Sequence, residues 1–176
     1  MTGDLTNIIV RCECDEDYNN IRALVKTAFS SAEHSDGDEH NLVDRIRKSK
    51  EYIPELSLVG VIDKKTVGHI MMSEIHIGHS PAVAIAPLSV HPDYQRTGIG
   101  KLLIKKAHKI ARNLGYSCCV VLGAPEYYSK SGYVAASRFR IKAPFEVPDC
   151  CYMVCPLRDC ADIPSGTVRY SAAFGI

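Results

Sequence analysis

No apolar run in this chain approaches the ~20 residues a helix needs to cross a bilayer, so no membrane span is expected. The first residues, MTGDLTNIIVRCECDED, lack a basic stretch followed by an apolar one, so no signal peptide is expected. Charge of one sign is missing too: 21 Lys and Arg stand against 20 Asp and Glu, a formal balance of +1. That balance gives no electrostatic reason to expect a nucleic-acid partner. There is no internal repeat, low-complexity tract or Pro/Gly-rich linker, so residues 1–176 read as one domain. Eight cysteines are present, yet none forms the C-x-x-C pair usual in structural zinc sites. Cys118 and Cys119 lie in an apolar run, where cysteine behaves as a small hydrophobe. Reduced thiols in the cytoplasm and no metal are the expectation. Metal or redox chemistry at the Cys12/Cys14 pair or the Cys150–Cys160 cluster is the lesser alternative.

What the chain does have is material for a core: 46% hydrophobic against 23% charged residues, the balance of a soluble globular domain. Residues 7–12 read as a strand. Ile21, Leu24, Val25, Ala28 and Phe29 recur at helical spacing within 15–29, and Leu42, Val43 and Ile46 mark a second helix beyond the polar loop 30–38. Apolar runs 56–62 and 67–77, joined by Asp63-Lys64-Lys65-Thr66, predict an antiparallel hairpin. A turn at 78–81 leads into a strand over 82–90. The clearest helix is 98–114, with Ile99, Leu102, Leu103, Ala107, Ile110, Ala111 and Leu114 on one face and Gly115 as its C′ residue. The uniformly apolar Cys118–Leu122 predicts a strand buried on both faces, followed by a short helix over 125–130 and a last strand over 152–157. The order β-α-α-β-β-β-α-β-α-β predicts an α/β layer with a mixed sheet.

The chemistry centres on Gln95-Arg96-Thr97-Gly98-Ile99-Gly100, where a strand runs into two glycines and then the long helix. The first turn of a helix exposes unpaired N–H groups and the positive end of the helix dipole. Glycines let backbone approach an anion closely, so main-chain donors can hold a phosphate. Tight helix–sheet packing is the alternative use of the same glycines. A P-loop is excluded, because the glycines are two apart and Lys101 is followed by Leu102. A Rossmann fingerprint is excluded as well, because position 103 is Leu instead of a third glycine.

These six residues resemble motif A of the GNAT acetyltransferases, Q/R-x-x-G-x-G/A, with its V-x-P-x-x-Q preamble as Val90-His91-Pro92-Asp93-Tyr94-Gln95. Tyr127-Tyr128-Ser129-Lys130-Ser131-Gly132-Tyr133 looks like the family's F-Y-x-x-x-G-F segment. Residues 84–157, with the tail 165–174, are especially similar to the YhbS-like branch of predicted N-acetyltransferases. The resemblance implies the GNAT fold: a mixed, mostly antiparallel sheet of six to seven strands, helices on both faces, and a V-shaped splay admitting the pantetheine arm. It implies transfer of acetyl from acetyl-CoA to a primary amine of a small molecule or peptide, by direct attack in a ternary complex. It leaves a homodimer open.

By the same resemblance, Leu88 and Val90 supply backbone bonds to pantetheine, and Gln95, Arg96, Thr97, Gly98, Ile99, Gly100 and Lys101 form the pyrophosphate loop. Tyr128 aligns with the general acid near the coenzyme sulfur. Pro87 interrupts the strand ladder and suits a bulge or opening. Many family members carry a glutamate on the strand facing the acceptor, but 82–90 has no acidic residue. Glu74 or His76, on one face of the preceding strand, then stands as the candidate base, an exposed strand face being the alternative reading, with loop histidines His34, His40 and His79 behind them. The missing carboxylate also motivates an alternative, a CoA-binding regulatory or interaction module without catalysis. Lys101, Lys105, Lys106 and Lys109 fall on the polar face of the long helix, where solvation accounts for them. The acidic loop 33–38 reads as a solvated loop, with attraction of a cationic amine as the lesser alternative.

Overall fold

Asp63 and Lys64, both at positive φ (48° and 66°), make the tight turn of a long hairpin whose arms, β2 (Tyr52–Ile62) and β3 (Lys65–Ile77), form the middle of the sheet. Positive φ at both central residues gives the turn the twist that antiparallel strands need. The computed structural model describes residues 7–30, 35–159 and 162–176. Before the hairpin come β1 (Ile9–Cys12), α1 (Tyr18–Phe29) and α2 (Glu39–Arg47). After it follow β4 (Ser80–Val90), α3 (Ile99–Asn113), β5 (Cys118–Leu122) and α4 (Pro125–Tyr128). The chain ends with β6 (Val134–Ala135), β7 (Ile141–Lys142), β8 (Tyr152–Pro156) and β9 (Gly166–Arg169).

The strands pair in the order β1-β2-β3-β4-β5-β8-β6, with β9 joining β3 to β7. Pairing is antiparallel except for β4–β5 and β7–β9. The mixed, mostly antiparallel sheet of the expected fold is therefore present, with nine strands among the described residues instead of six or seven. The additional pieces are β6 and β7, two residues each, and β9, which follows the strand expected to be last. Two-residue bridges leave no period-two pattern to read.

Helices cover both faces. On one, Ile99, Leu103, Ile104, Ala107 and Ala111 of α3 pack on Ile70, Met72, Val83, Cys119 and Met153. Gly68 lets α3 come close, since a Cβ there would lie 2.9 Å from both Ile99 and Leu103. On the other face, Ile21 and Val25 of α1 and Val43 and Ile46 of α2 pack on Val59, Met71 and Ala86. Leu114, expected on the buried face of the long helix, is instead 47% exposed, because it is the C-cap where the helix turns away at Gly115 (φ +104°).

The sheet opens between its parallel pair. β4 and β5 are in register only at Val83–Cys119 and Ala84–Val120, while β4 continues to Val90. Across β3, the step from Ile70–Leu88 to Met72–Ile85 leaves one extra residue in β4 around Ala86-Pro87, the bulge that Pro87 suggested. Beyond Ala84 the β5-side edge of β4 has no partner strand among the described residues, which is the V-shaped splay.

Candidate active site

At the mouth of the splay, β4 ends at Val90 and a single 3₁₀ turn (Pro92–Tyr94) carries the chain toward α3. Gln95 Nε2 donates to the Val90 carbonyl at 3.2 Å, and Thr97 Oγ1 donates to the Tyr94 carbonyl at 2.6 Å, which pins the loop. Arg96 (φ +62°) and Gly98 (φ +99°) both take the left-handed conformation. Such alternation turns successive N–H groups toward one concavity, a nest for anions. The N–H groups of Arg96, Thr97, Gly98, Ile99, Gly100 and Lys101 have no partner among the described residues, and the first helical bond is Leu102 N–H to Gly98 O at 3.0 Å. Six open donors at the start of a 15-residue helix form a cradle with the geometry to accept an anion. Gly98 is needed for its φ. At Gly100 a Cβ would lie 2.0 Å from the Tyr127 hydroxyl, so the absence of a side chain lets that ring rest against the cradle.

Leu88 and Val90 are half-buried on the splayed part of β4. Facing that gap is α4, which follows β5 through Gly123. The Tyr128 ring lies over Gly123, where a Cβ would come within 2.4 Å of it. It stands edge-on to Tyr127 (5.0 Å between centroids) and Tyr133 (5.5 Å). Tyr133 is anchored in turn: its hydroxyl lies 2.8 Å from His108 Nε2 and donates to Cys119 Sγ at 3.2 Å. Burial pushes the Tyr128 phenol well above its ordinary pKa, which keeps it protonated, and its hydroxyl has no partner among the described residues. Sequence reasoning missed the His108–Tyr133–Cys119 support. The Gly-Tyr that closes the aromatic segment was its one visible trace.

From the cradle, a groove of about 430 Å³ runs along α3 to the residues after α4. Lys101, Lys105, Lys109, Arg112 and Lys130 line it, so three of the lysines read as solvated surface share a concave basic wall. Lys106 lies outside it and reaches the Val10 carbonyl at 3.5 Å.

The expected bases sit elsewhere. Glu74 is on the α3 face, level with Val83 at the closed end of the splay, and accepts a 2.6 Å hydrogen bond from Tyr116 Oη. The structure thus brings Tyr128 and the cradle to the opening and leaves Glu74 at its closed end. His76 pairs with Pro81 and with Arg169 of β9. His79 is exposed in the β3–β4 turn, and His40 is in α2. His34 lies outside the described residues, as does Cys160. The other seven cysteines are unbridged.

A second polar cluster was not anticipated. Glu13 accepts bonds from Arg47 Nε and Nη2 (2.9 and 2.8 Å) and from the Tyr52 hydroxyl (2.8 Å), and its carboxylate lies 3.3 Å from Nε2 of fully buried His69. The Arg47 guanidinium rests 4.0 Å above the centre of the Tyr18 ring. Positions 13, 47 and 69 have no spacing relation in sequence, so only the fold brings them together.

With this geometry in view, the chain belongs to the Acetyltransferase (GNAT) family, whose description matches residues 18–133. Among its relatives is the uncharacterized N-acetyltransferase YjhQ of Escherichia coli K12, 30% identical over 146 residues and 78% of each chain. The crystal structure of the GNAT family N-acetyltransferase YhbS from Escherichia coli in complex with CoA superposes with a TM-score of 0.87, at 25% identity over 97% of this chain and 93% of that one. A GNAT family acetyltransferase from Brucella melitensis in complex with acetyl-CoA is similar at TM-score 0.80, 31% identity, and 95% and 97% coverage.

Proposed function

We propose that the chain transfers acetyl from acetyl-CoA to a primary amine of a small molecule or peptide, both substrates being bound at once. The observation that carries this is the row of six unpaired N–H groups, Arg96 to Lys101, at the mouth of a strand splay that Tyr128 overlooks. The cradle takes the pyrophosphate of the coenzyme. The pantetheine arm runs along the open edge of β4 past Val90 and Leu88, replacing the strand partner that β5 stops supplying after Ala84. The basic groove suits the 3′-phosphorylated adenosine end, because Lys101 belongs to both cradle and groove.

At the thioester, the amine nitrogen attacks the carbonyl carbon and the thiolate leaves. Tyr128, kept protonated by burial, is the acid placed to protonate that sulfur. YhbS and the Brucella protein, two relatives whose structures contain CoA and acetyl-CoA, support the coenzyme assignment. The cytoplasm is the compartment that suits seven unbridged cysteines.

Free-thiol release from acetyl-CoA in the presence of a panel of small and peptidyl primary amines tests the proposal. Release that depends on one class of amine, with an acetylated product by mass, is the expected result. A second reading, a CoA-binding module without catalysis, draws on the absence of any carboxylate on β4. It predicts acetyl-CoA binding and no thiol release with any amine.

A further inference from the structure

The face of the sheet covered by α1 and α2 holds buried polar groups that the coenzyme side does not use. His69 Nδ1, Ser73 Oγ and Ser89 Oγ are shut off from bulk solvent and have no hydrogen-bond partner among the described residues. All three lie on that face. His69 and Ser73 alternate with Met71, which packs under α1 and α2, and Ser89 is the cross-strand neighbour of His69. Buried polar atoms of this kind are satisfied in folded proteins by internal water or by ligand. Their position is specific. Ser73 lies opposite Ala84, the last residue of β4 paired to β5. Ser89 lies between Leu88 and Val90 on the stretch of β4 whose other edge is open.

The remaining ring nitrogen of His69 is committed. Nε2 lies 3.3 Å from Glu13 Oε2 and 3.1 Å from Ser57 Oγ. A carboxylate facing Nε2 holds the imidazole proton there and leaves Nδ1 as a bare lone pair. Arg47 and Tyr52 fix the carboxylate itself. The two faces of β4 differ in what they offer an acceptor. α3 and Tyr128 cover the opposite face of β4 with apolar side chains, whereas on this face β4 carries only the small residues Ala82, Ala84, Ala86 and Ser89, buried beneath α1, α2 and the Ile141, Tyr152 and Val168 cluster.

We infer that His69 is the base of the acetyl transfer, receiving the acceptor's proton on Nδ1 through ordered water beside Ser89, with Glu13 as the positioning residue that sets its tautomer. The inference rests on the acetyltransferase reading above. The acceptor ammonium gives one proton through the relay to Nδ1, and the imidazolium formed is paired with Glu13. The neutral amine then forms the C–N bond and the C–S bond breaks. Tyr128 gives its proton to the sulfur and regains one from the new amide nitrogen. Once the products leave, His69 returns its proton to solvent through the same relay, so the sum is ammonium plus acetyl-CoA giving amide, CoA and one proton.

The groups facing His69 are Glu13 and Asp17 from the β1–α1 link, Arg47 from α2, Ser57 from β2 and Ser89 from β4. Burial, the largest influence, lowers its pKa and Glu13 opposes that, so the ring is neutral and able to accept a proton.

The variant His69→Gln tests this, because glutamine keeps a donor near the Nε2 position toward Glu13 and deletes Nδ1. Expected are a fall of ~10²-fold or more in amine-dependent thiol release, an unchanged Kd for acetyl-CoA, and loss of the acidic limb of the kcat–pH profile. A variant with wild-type turnover and profile overturns the inference while leaving the acetyltransferase reading intact. Wild-type protein that released no thiol with any amine would remove both. In ¹⁵N-histidine-labelled wild type, which does not depend on any variant folding, the Nε2–H tautomer with Nδ1 unprotonated is expected near pH 7. Finding the proton on Nδ1 overturns the inference independently of activity.

Discussion

Tyr128 and Tyr127 are neighbours with different work. Tyr127 is partly exposed and rests its hydroxyl on Gly100 of the cradle, while Tyr128 is wedged over Gly123 between Tyr127 and Tyr133. Tyr128→Phe keeps the packing and removes the proton. Thiol release is expected to fall by ~10²-fold or more with acetyl-CoA affinity unchanged, read by steady-state kinetics beside a calorimetric Kd. At this scale the sequence was informative where one residue type has one physical use. Gly98 stands where only a residue at ease with φ +99° fits, and motif spacing found it. The reason for Gly100 was hidden, because the hydroxyl filling its space comes from 27 positions away, at Tyr127. Glu74 illustrates the converse. Period-two spacing put it on one face, correctly alongside Met72, but spacing could not reveal that this face is the one under α3, where Tyr116 claims the carboxylate.

Among the elements, α3 and β5 were legible because each carries a complete pattern, a helical stripe in one and five apolar residues in the other. The strands β6 and β7 were not, since a two-residue bridge is made by its partners. The joint between the β1–α1 link, α2 and the sheet was also invisible, because it depends on Glu13, Arg47 and His69 meeting in a buried cluster. Arg47→Ala removes the partner of a carboxylate that is 1% exposed. A loss of about 3–5 kcal/mol is expected in urea unfolding, as for other buried ion pairs deprived of one member. The same pair sets an acid limit. Hydrogen bonds from Arg47 and His69 outweigh desolvation and hold the Glu13 carboxyl well below the usual glutamate range. A carboxyl depressed on folding contributes stability that is complete above its unfolded pKa of about 4.3 and is lost as pH falls below it. Tm should therefore decline more steeply below pH ~4 in wild type than in Glu13→Gln, which has no such group to protonate.

Taken whole, the molecule carries almost no net charge, +1, yet concentrates five cations along one groove beside the phosphate cradle. Local field, not overall charge, then governs binding of the tetra-anionic coenzyme. Dephospho-CoA, which lacks the 3′-phosphate, is expected to bind about tenfold more weakly than CoA at low ionic strength. The difference should narrow as salt shortens the Debye length from about 10 Å at 0.1 M to 3 Å at 1 M. The three-dimensional arrangement also explains why the fold class was readable and the acceptor was not. The coenzyme half is built from one continuous stretch, β4 through α4, whose order in sequence is its order in space. The other half, where the acceptor is proposed to bind, gathers α1, α2, the β3 face and the tail after β9, which are separated by the whole length of the chain.

The central claim is that residues 96–101 with the open edge of β4 hold acetyl-CoA, and calorimetric titration of the purified protein with acetyl-CoA tests it most directly. The account predicts one site per chain and, at a hundred times Kd, added stability of about 2.7 kcal/mol, a Tm rise of roughly 5–11 °C. No heat of binding together with an unmoved Tm at saturating acetyl-CoA would contradict it.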